Sequence, residues 1–341
     1  MGGAYGLQTH IWNNNWKTVL LMAGFPVLLL LLTYALFLLF AGFSGETAAG
    51  GGALGPFVWA ADALAQAWPF AIAGAILWFG IAYAFYQGII DAATGAKRVE
   101  RREEPKLYNL LENLCISRGI TMPALRIMET DALNAFATGL HKGNYSITVT
   151  RGLMNTLSDE ELEAVLAHEL THIRNADVRL LVIAVIFVGI FSFVGEMTFR
   201  SLRFSGRGSS RRSSGRDSGG AAIAILVALL IIAIAYALAI VIRFALSRRR
   251  EYLADAGAVE LTKNPDAMIS ALQKISGNAL VSNAPSEVRE MFIENPHSDF
   301  ASIFATHPPI EKRIEALMKF AGGRIAAPQA PAAPAQSGPW G

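Results

Sequence analysis

The segment VLAHELTHIRNAD at residues 165–177 carries the residue types that bind and use a metal ion. His168 and His172 are four residues apart, so on a helix their imidazoles share one face and can bind the same ion. Two histidines beside an open coordination position favour zinc. Glu169 can accept the proton of a water molecule that the metal activates. The spacing therefore predicts a hydrolytic metal centre, with a chance match on an amphipathic helix as the alternative.

A catalytic zinc ion of this type needs a third protein ligand, and the segment REYLADAGA at residues 250–258 offers one. Glu251 can complete a site of two histidines and one carboxylate. Asp255, four residues on, can hydrogen-bond the far nitrogen of a zinc-bound histidine and orient its ring. Taken alone, this segment is better explained as an acidic helical face neutralised by Arg248–Arg250. The presence of the HELTH segment in the same chain makes a metal-binding role the better explanation.

The composition is that of a membrane protein. Of the 341 residues, 53% are hydrophobic and only 16% are charged, with a mean hydropathy of +0.38. A membrane span needs roughly 20 apolar residues. About four transmembrane helices are predicted from four apolar runs, of which the third is short: Val19–Phe43, Ala67–Ile90, Leu180–Gly195 and Ala221–Ile242.

The charge pattern argues against nucleic-acid binding and orients the chain. The net charge is only +2, and no basic stripe with interleaved aromatic residues is present. Loop 44–66 has no Lys or Arg, whereas segment 97–106 has five. Positive residues stay cytoplasmic, so the amino terminus and the metal-binding segments are predicted inside. Because the two histidines and Glu251 must meet on one side, the chain between them crosses twice or re-enters as a shallow hairpin.

The soluble part is predicted to be a small mixed domain. PKLYNLLENLCISRG has helical spacing and ends at Gly119, and three short segments rich in β-branched or apolar residues follow as strands. Ser158 and Glu161 form a capping box for the HELTH helix.

The whole chain is predicted to divide into six segments. They are a cytoplasmic N-terminus (1–16), a transmembrane hairpin (17–90) with external loop 44–66, a first protease part (91–178), a second hairpin (179–243) with an Arg/Ser/Gly-rich loop (200–220), a second protease part (244–322) and a disordered Pro/Ala-rich tail (323–341).

Four motifs in a fixed order give the chain a family resemblance. They are LNAFATG at 133–139, LAHELTHIRNAD at 166–177, SRRREYLADAGA at 247–258 and THPPIEKRI at 306–314. With two apolar runs before the HExxH segment and two after it, the chain resembles the HtpX-like membrane zinc metalloproteases, relatives of the CAAX prenyl endopeptidases. The resemblance covers nearly the whole chain apart from the Pro/Ala tail. It implies a fold that is mainly α with a small β-sheet, in which a polytopic membrane part carries a cytoplasmic zincin-like α+β protease domain.

The resemblance also assigns roles to residues. It implies one Zn²⁺ per chain, with His168, His172 and Glu251 as ligands, Glu169 as the general base and Asp255 as the residue that orients a ligand. It places His307 and Arg313 beside the metal, where they could stabilise an oxyanion; a helix cap and a surface arginine are the alternative. The resemblance places the strand Asn134, Ala135, Phe136 and Ala137 at the border of the cleft, where an extended substrate could add to its edge. A core strand is the alternative, and the two are compatible.

The implied function is a zinc endopeptidase of the bacterial plasma (inner) membrane, multi-pass, with its active site facing the cytoplasm. Its substrates would be misfolded or damaged membrane proteins or unfolded polypeptides, cut under stress, and its surroundings the lipid bilayer. The sequence predicts no oligomeric state. A CAAX-type prenyl protease, for which more transmembrane helices are expected, is one alternative. A catalytically silent membrane scaffold is the other, and the intact glutamate and ligands argue against it.

Overall fold

The computed structural model describes residues 7–48, 52–183, 218–245, 249–276, 278–279, 291–293 and 308–325. In chain order the elements are α1 Leu7–Ser44, α2 Gly55–Thr94, β1 Lys97–Arg98, α3 Pro105–Arg118, β2 Ala124–Met128, β3 Ala135–Thr138, β4 Ser146–Thr150, α4 Arg151–Thr156, α5 Asp159–Arg174, α6 Ser218–Ala245, α7 Arg249–Thr262, α8 Pro265–Ile275 and α9 Ile310–Ala321. A short 3₁₀ turn, Gly52–Leu54, precedes α2. The expectation of a mainly helical protein with a small sheet is confirmed.

The chain separates into two compact units, each built from two stretches of sequence. One consists of Met1–Ile90 and Asn175–Leu246, and the other of Asp91–Arg174 and Ser247–Gly341. The first unit contains α1, most of α2 and α6. The second contains the sheet and the remaining helices, including every described residue that the sequence analysis placed at the metal site.

Two helices are long and apolar enough to cross a membrane. They are Ala23–Ser44, with a mean hydropathy of 2.4, and Gly52–Thr94, with 1.6. The second is almost unburied and presents large apolar side chains outward, among them Phe70, Ile76, Leu77 and Phe85. A soluble protein could not expose such a surface without aggregating, because large contiguous apolar patches are avoided in water.

Helix α6 packs against α1 in the first unit through small residues. Ala224 and Ala228, one turn apart, are fully buried against Ala35 and Leu38. Small side chains let two helix backbones approach closely, which is how helices associate where water does not drive burial. The third apolar run beyond Ile183, and loop 200–220 up to Asp217, lie outside the described residues. The count of four spans therefore stays a prediction.

The sheet of the second unit has the strand order β1-β2-β4-β3. β2 and β4 are parallel, while β1 pairs antiparallel with β2 and β3 pairs antiparallel with β4. β4 is buried at every position, as its alternation of Ile147 and Val149 with threonines allows. The three strands predicted between residues 121 and 153 are β2, β3 and β4, and β3 lies at the edge of the sheet.

Local sequence signals set the end of α3 and the start of α5. α3 buries Leu107, Leu111 and Leu114 and ends at Gly119, whose φ of 63° is left-handed and suits glycine. α5 begins with the predicted capping box. The Ser158 backbone N–H donates to Glu161 Oε2 at 2.7 Å, and the Glu161 N–H donates to Ser158 Oγ at 3.3 Å.

The start of α5 is also tied to α8. Ser270 Oγ donates to Glu161 Oε1 at 2.5 Å, and Lys274 Nζ lies 2.7 Å from Glu161 Oε2. Glu161 is only 6% exposed, so this carboxylate is satisfied by partners from two elements and little by water. The contact fixes the helix that carries the HELTH residues.

Candidate active site

The two histidines of α5 converge on one point. Their Nε2 atoms are 3.2 Å apart, with ring planes 85° to each other. His168 is fully buried and His172 is 8% exposed. This follows from helical periodicity, because residues i and i+4 lie one above the other on the same face.

Glu251 of α7 brings a carboxylate to the same point. Its Oε2 is 3.6 Å from His168 Nε2, and its Oε1 is 3.6 Å from His172 Nε2. Ligand atoms about 2.05 Å from a tetrahedral zinc ion are about 3.3 Å apart, which is close to the 3.2 Å between the two Nε2 atoms and a little shorter than the 3.6 Å from each Nε2 to a different oxygen of Glu251. The three side chains are all buried, and their ligand atoms lie within 4.8 Å of one another. The donor set, two imidazole nitrogens and one carboxylate, is that of a catalytic zinc site.

Asp255, one turn after Glu251, lies beside the other nitrogen of His168. The distance from His168 Nδ1 to Asp255 Oδ1 is 3.0 Å. A carboxylate there selects the tautomer whose Nε2 lone pair faces the metal position.

Arg313 of α9 forms an ion pair with the Asp255 carboxylate. Its Nε donates to Asp255 Oδ2 at 2.8 Å and its Nη2 to Asp255 Oδ1 at 2.6 Å, a two-pronged pair. Its Nη1 donates to the Ile293 carbonyl at 3.1 Å and lies 3.6 Å from Glu251 Oε2. The guanidinium is 0% exposed. The surface location, given above as the alternative for this residue, does not agree with this burial.

The charges of the site are arranged to favour a cation between the ligands. Burial lowers the pKa of His168, but the carboxylates of Asp255 and Glu251 outweigh it and raise that pKa to about 9. Burial raises the pKa of Asp255, yet the Arg313 guanidinium and His168 bring it below its usual range. Asp255 thus stays ionised while buried, and the imidazole that it contacts prefers to carry positive charge or to donate to it.

Glu169 lies beside His168 on α5 and is only 2% exposed. Its negative charge contributes, with those of Asp255 and Glu251, to raising the pKa of Arg313 above the usual range against the opposing effect of burial. His307, the other residue of the predicted oxyanion pair, lies outside the described residues.

Strand β3 is the edge strand, but part of its outer edge is already paired. The Ile293 N–H donates to the Ala135 carbonyl at 2.9 Å and to Asn134 Oδ1 at 3.0 Å. The Asn134 side chain also donates to the Ala279 carbonyl at 2.9 Å, and Phe136 packs against Phe292 with ring centroids 5.0 Å apart. Asn134 through Ala137 are all buried. The strand is thus both the sheet edge and part of the core.

Two features of the site were not predicted from the sequence. Gly257 of α7 lies against Thr171 of α5, so closely that a Cβ there would be 2.3 Å from Thr171 Cγ2. A glycine inside a helix, where alanine is favoured, was the available signal. Arg174, which is unusual so close to an HExxH motif, pairs with Glu260 of α7 at 3.0 Å.

Comparison with known proteins places this geometry in a family. The family model described as Peptidase family M48 matches residues 101–321. The chain belongs to peptidase family M48. This M48 chain is 44% identical over 323 residues to a protease HtpX homolog of Bacteroides fragilis, covering 92% of the chain and 99% of that protein. It is also 44% identical over 238 residues to a protease HtpX homolog of Listeria innocua, covering 67% of the chain and 78% of that protein.

The crystal structure of S. mikatae Ste24p is similar over 90% of this chain and 66% of that one, with 20% identity and a TM-score of 0.41. The family and the HtpX homologues show that this protein is a membrane metalloprotease, as the sequence analysis expected. The matched region contains His168, His172 and Glu251, the three residues placed to hold a metal.

Proposed function

We propose that this M48 protease is a zinc endopeptidase that cuts polypeptide chains, with His168, His172 and Glu251 as the zinc ligands. The observation that carries the proposal is the convergence of these three buried side chains at distances of 3.2 and 3.6 Å. The nitrogen and oxygen donors leave room for a fourth ligand, which distinguishes a catalytic site from a closed structural one.

Zinc at this position would supply Lewis acidity, which lowers the pKa of water and polarises a peptide carbonyl. Glu169 accepts the proton of the attacking water and passes it to the leaving amine. Asp255 holds the His168 ring, and Arg313 keeps Asp255 ionised. The buried surroundings exclude bulk water, which strengthens each of these electrostatic interactions.

We assign Arg313 a positioning role, and His307 the stabilisation of the oxyanion. Both Asp255 oxygens and the Ile293 carbonyl already occupy the donors of Arg313 for which partners are described. Strand β3 orders the substrate backbone in this proposal. An extended peptide that adds to β3 at Ala135 must displace the hydrogen bond from Ile293.

The proposed setting is the bacterial plasma (inner) membrane, with about four spans and the site on the cytoplasmic side. Supporting it are the basic segment 97–106, the SRRR segment at 247–250 and loop 44–66 without Lys or Arg. Because Glu251 and the histidines share one unit, an even number of crossings must separate them. The six arginines of loop 200–220 could lie on anionic headgroups if that loop is external.

Cysteine labelling tests this topology. In a Cys115→Ser background, Ser209→Cys is treated with a membrane-impermeant maleimide on intact cells, or on spheroplasts if there is an outer membrane. Labelling from outside supports two crossings between the histidines and Glu251. Labelling only after lysis, while Ala48→Cys labels in intact cells, would mean that this part re-enters without crossing.

The proposed substrates are misfolded or damaged membrane proteins, and a trapping experiment tests both chemistry and substrates. Glu169→Gln should keep one zinc ion per chain. Its rate of casein cleavage should fall about 10²–10⁴-fold, the usual contribution of a general base. Glu163→Gln, a half-exposed glutamate of the same helix, should behave as wild type. Membrane proteins that co-purify with Glu169→Gln and are shortened by the wild type are then the substrates. Substantial cleavage by Glu169→Gln would remove Glu169 from its role.

A further inference from the structure

A groove lies between α7 and α9. Its volume is about 910 Å³. Its apolar lining includes Val259, Ala316 and Leu317, and Tyr252 lies at one end. Asp255 also lines it, but that carboxylate is paired with Arg313. The chemistry described above does not use this groove.

The two helices run in the same direction, which fixes the ends of the groove. Near the metal ligands, Arg313 at the start of α9 contacts Asp255. At the far end, the Arg324 N–H donates to Asp266 Oδ1 at 2.6 Å, just after α7 ends. From Tyr252 to Lys263 the groove follows α7 for eleven residues, about 16 Å at 1.5 Å per residue. About five residues of extended polypeptide have this length.

Lysines stand at both ends of the groove. Lys312 belongs to the end near the ligands, and Lys263 and Lys319 to the far end. All three are exposed, and none makes an ion pair with the residues that the structure describes. Of the acidic residues in the lining, Asp255 is paired with Arg313 and Glu260 with Arg174 at 3.0 Å, and the charge of Lys263 also acts on Glu260. Glu315 is the remaining acidic residue of the lining.

The far end adds an aromatic surface and an unusual backbone. Phe320 is 81% exposed, and Lys319 Nζ lies 5.4 Å from the centre of its ring. Lys263 has a φ of 59°, at a helix end where glycine or asparagine is the usual residue. A lysine in this conformation carries backbone strain that a glycine would not.

We propose that this groove is a substrate exosite, which binds an extended acidic and apolar segment of a polypeptide at a distance from the cut bond. Charge complementarity selects acidic residues, and the apolar lining takes the side chains between them. Lysines at the two ends, about 16 Å apart by the helical rise, suit a chain with spread charges better than one phosphate headgroup. The inference rests on the proposed endopeptidase function and gives its substrates a sequence preference.

The test compares a long substrate with a short one. The long substrate is casein, an unfolded acidic chain, and the short one is a quenched peptide covering one casein cleavage site. The protein is the full chain in nanodiscs of phosphatidylcholine. Lys312→Glu combined with Lys319→Glu should lower kcat/KM for casein about tenfold, since two attractions become repulsions, and change the short peptide less than about twofold.

Two further variants separate binding from folding. Lys263→Gly relieves the left-handed backbone, so it should keep or raise the melting temperature and still weaken casein cleavage. Ala316→Trp should fill the groove and have the same selective effect. Lys142→Glu, on the exposed turn between β3 and β4, is the matched charge control and should leave both substrates unchanged.

The outcomes decide the proposal. Equal losses for both substrates, or no loss for either, would overturn it. A loss that appears only when phosphatidylglycerol is added to the nanodiscs would overturn it in favour of a lipid site. A binding measurement with fluorescent casein and the zinc-loaded Glu169→Gln protein is independent of turnover. If the wild type cleaves nothing, the proposed function fails, and weaker casein binding by the lysine variants still supports the groove.

Discussion

Replacing Gly257 with alanine should weaken metal binding without unfolding the protein. A Cβ at this position would lie 2.3 Å from Thr171 Cγ2, 2.7 Å from its Oγ1 and 3.1 Å from its Cβ. Thr171 cannot turn aside at little cost, because it is buried and β-branched and its Oγ1 donates to the Ala167 carbonyl at 2.8 Å. The new methyl group must therefore push α7 away from α5.

The displacement can be worked out from these contacts. Carbon atoms pack at about 3.5–4.0 Å, so the closest pair must separate by about 1.2–1.7 Å. Glu251 on α7 is only 3.6 Å from each histidine Nε2 on α5, and metal sites tolerate errors of about 0.2 Å in ligand distances. We expect zinc affinity to fall at least about 10- to 100-fold, as it does when residues supporting the ligands of a metal site are changed.

The free energy of unfolding should change much less. Overpacking costs about 1–3 kcal/mol, and replacing glycine with alanine inside a helix returns about 1 kcal/mol. Zinc affinity is measured by competition with a chromogenic chelator, alongside thermal melting of the metal-free protein. Gly88→Ala, at a helical glycine with no atom within 4 Å of the added Cβ, is the matched control.

A compensating change tests whether the contact between Gly257 and Thr171 sets the separation of α5 and α7. Thr171→Ala removes the two closest atoms, so Gly257→Ala combined with Thr171→Ala should recover most of the lost zinc affinity. Wild-type affinity in Gly257→Ala, or a double variant no better than the single one, would show that this contact does not set the helix separation.

Three further predictions concern the charges of the second unit. Arg313→Ala should destabilise the fold by about 3–5 kcal/mol, because it leaves the Asp255 carboxylate buried and unpaired, and denaturant unfolding measures this. Glu251→Ala should lose zinc on dialysis while Glu260→Ala keeps it, and equal metal content in both would exclude Glu251 as a ligand. Burial raises the pKa of Glu161, but hydrogen bonds from Lys274 and other partners lower it overall. The ionised Glu161 therefore stabilises the fold above its unfolded pKa of about 4.3, and this stabilisation is lost as the pH falls through the folded pKa. Measured in the presence of a chelator, the free energy of unfolding should be larger for the wild type than for Glu161→Gln at pH 7, and the difference should vanish at acid pH.

The sequence predicted those parts of the site that local geometry determines. His168 and His172 follow from the helical repeat alone, and the capping box of α5 follows from Ser158 and Glu161. Glu251 lies far along the chain, so no local rule places it beside the histidines. The need for a third ligand and the order of the motifs connected it to them. The contact between Gly257 and Thr171 depends on how two helices cross, which periodicity does not encode.

Arg313 shows why the chemical type of a residue does not by itself give its role. From the motif, a cation near zinc was expected to face the reacting carbonyl. In the fold, the guanidinium is fully buried and its neighbours are two carboxylates and the Ile293 carbonyl. Which charge is withdrawn from water depends on the packing of α9 on α7, and a buried arginine is held where its donors find acceptors.

Ile293 links strand β3 to the proposed metal ligands. Its N–H donates to the Ala135 carbonyl at the edge of β3, and its carbonyl accepts from the same Arg313 that holds Asp255. A peptide that displaces Ile293 from Ala135 would thus affect Arg313. Through Asp255, Arg313 influences the position of His168. Zinc binding should likewise change the affinity for the peptide, because a change in affinity must be reciprocal between two coupled sites. Peptide binding to Glu169→Gln should then differ between the zinc-loaded and the zinc-free protein. The difference should shrink in Arg313→Lys, because one ammonium nitrogen lacks the planar fork that reaches both Asp255 oxygens and the Ile293 carbonyl. Equal peptide affinity with and without zinc would show that the strand and the ligands are independent.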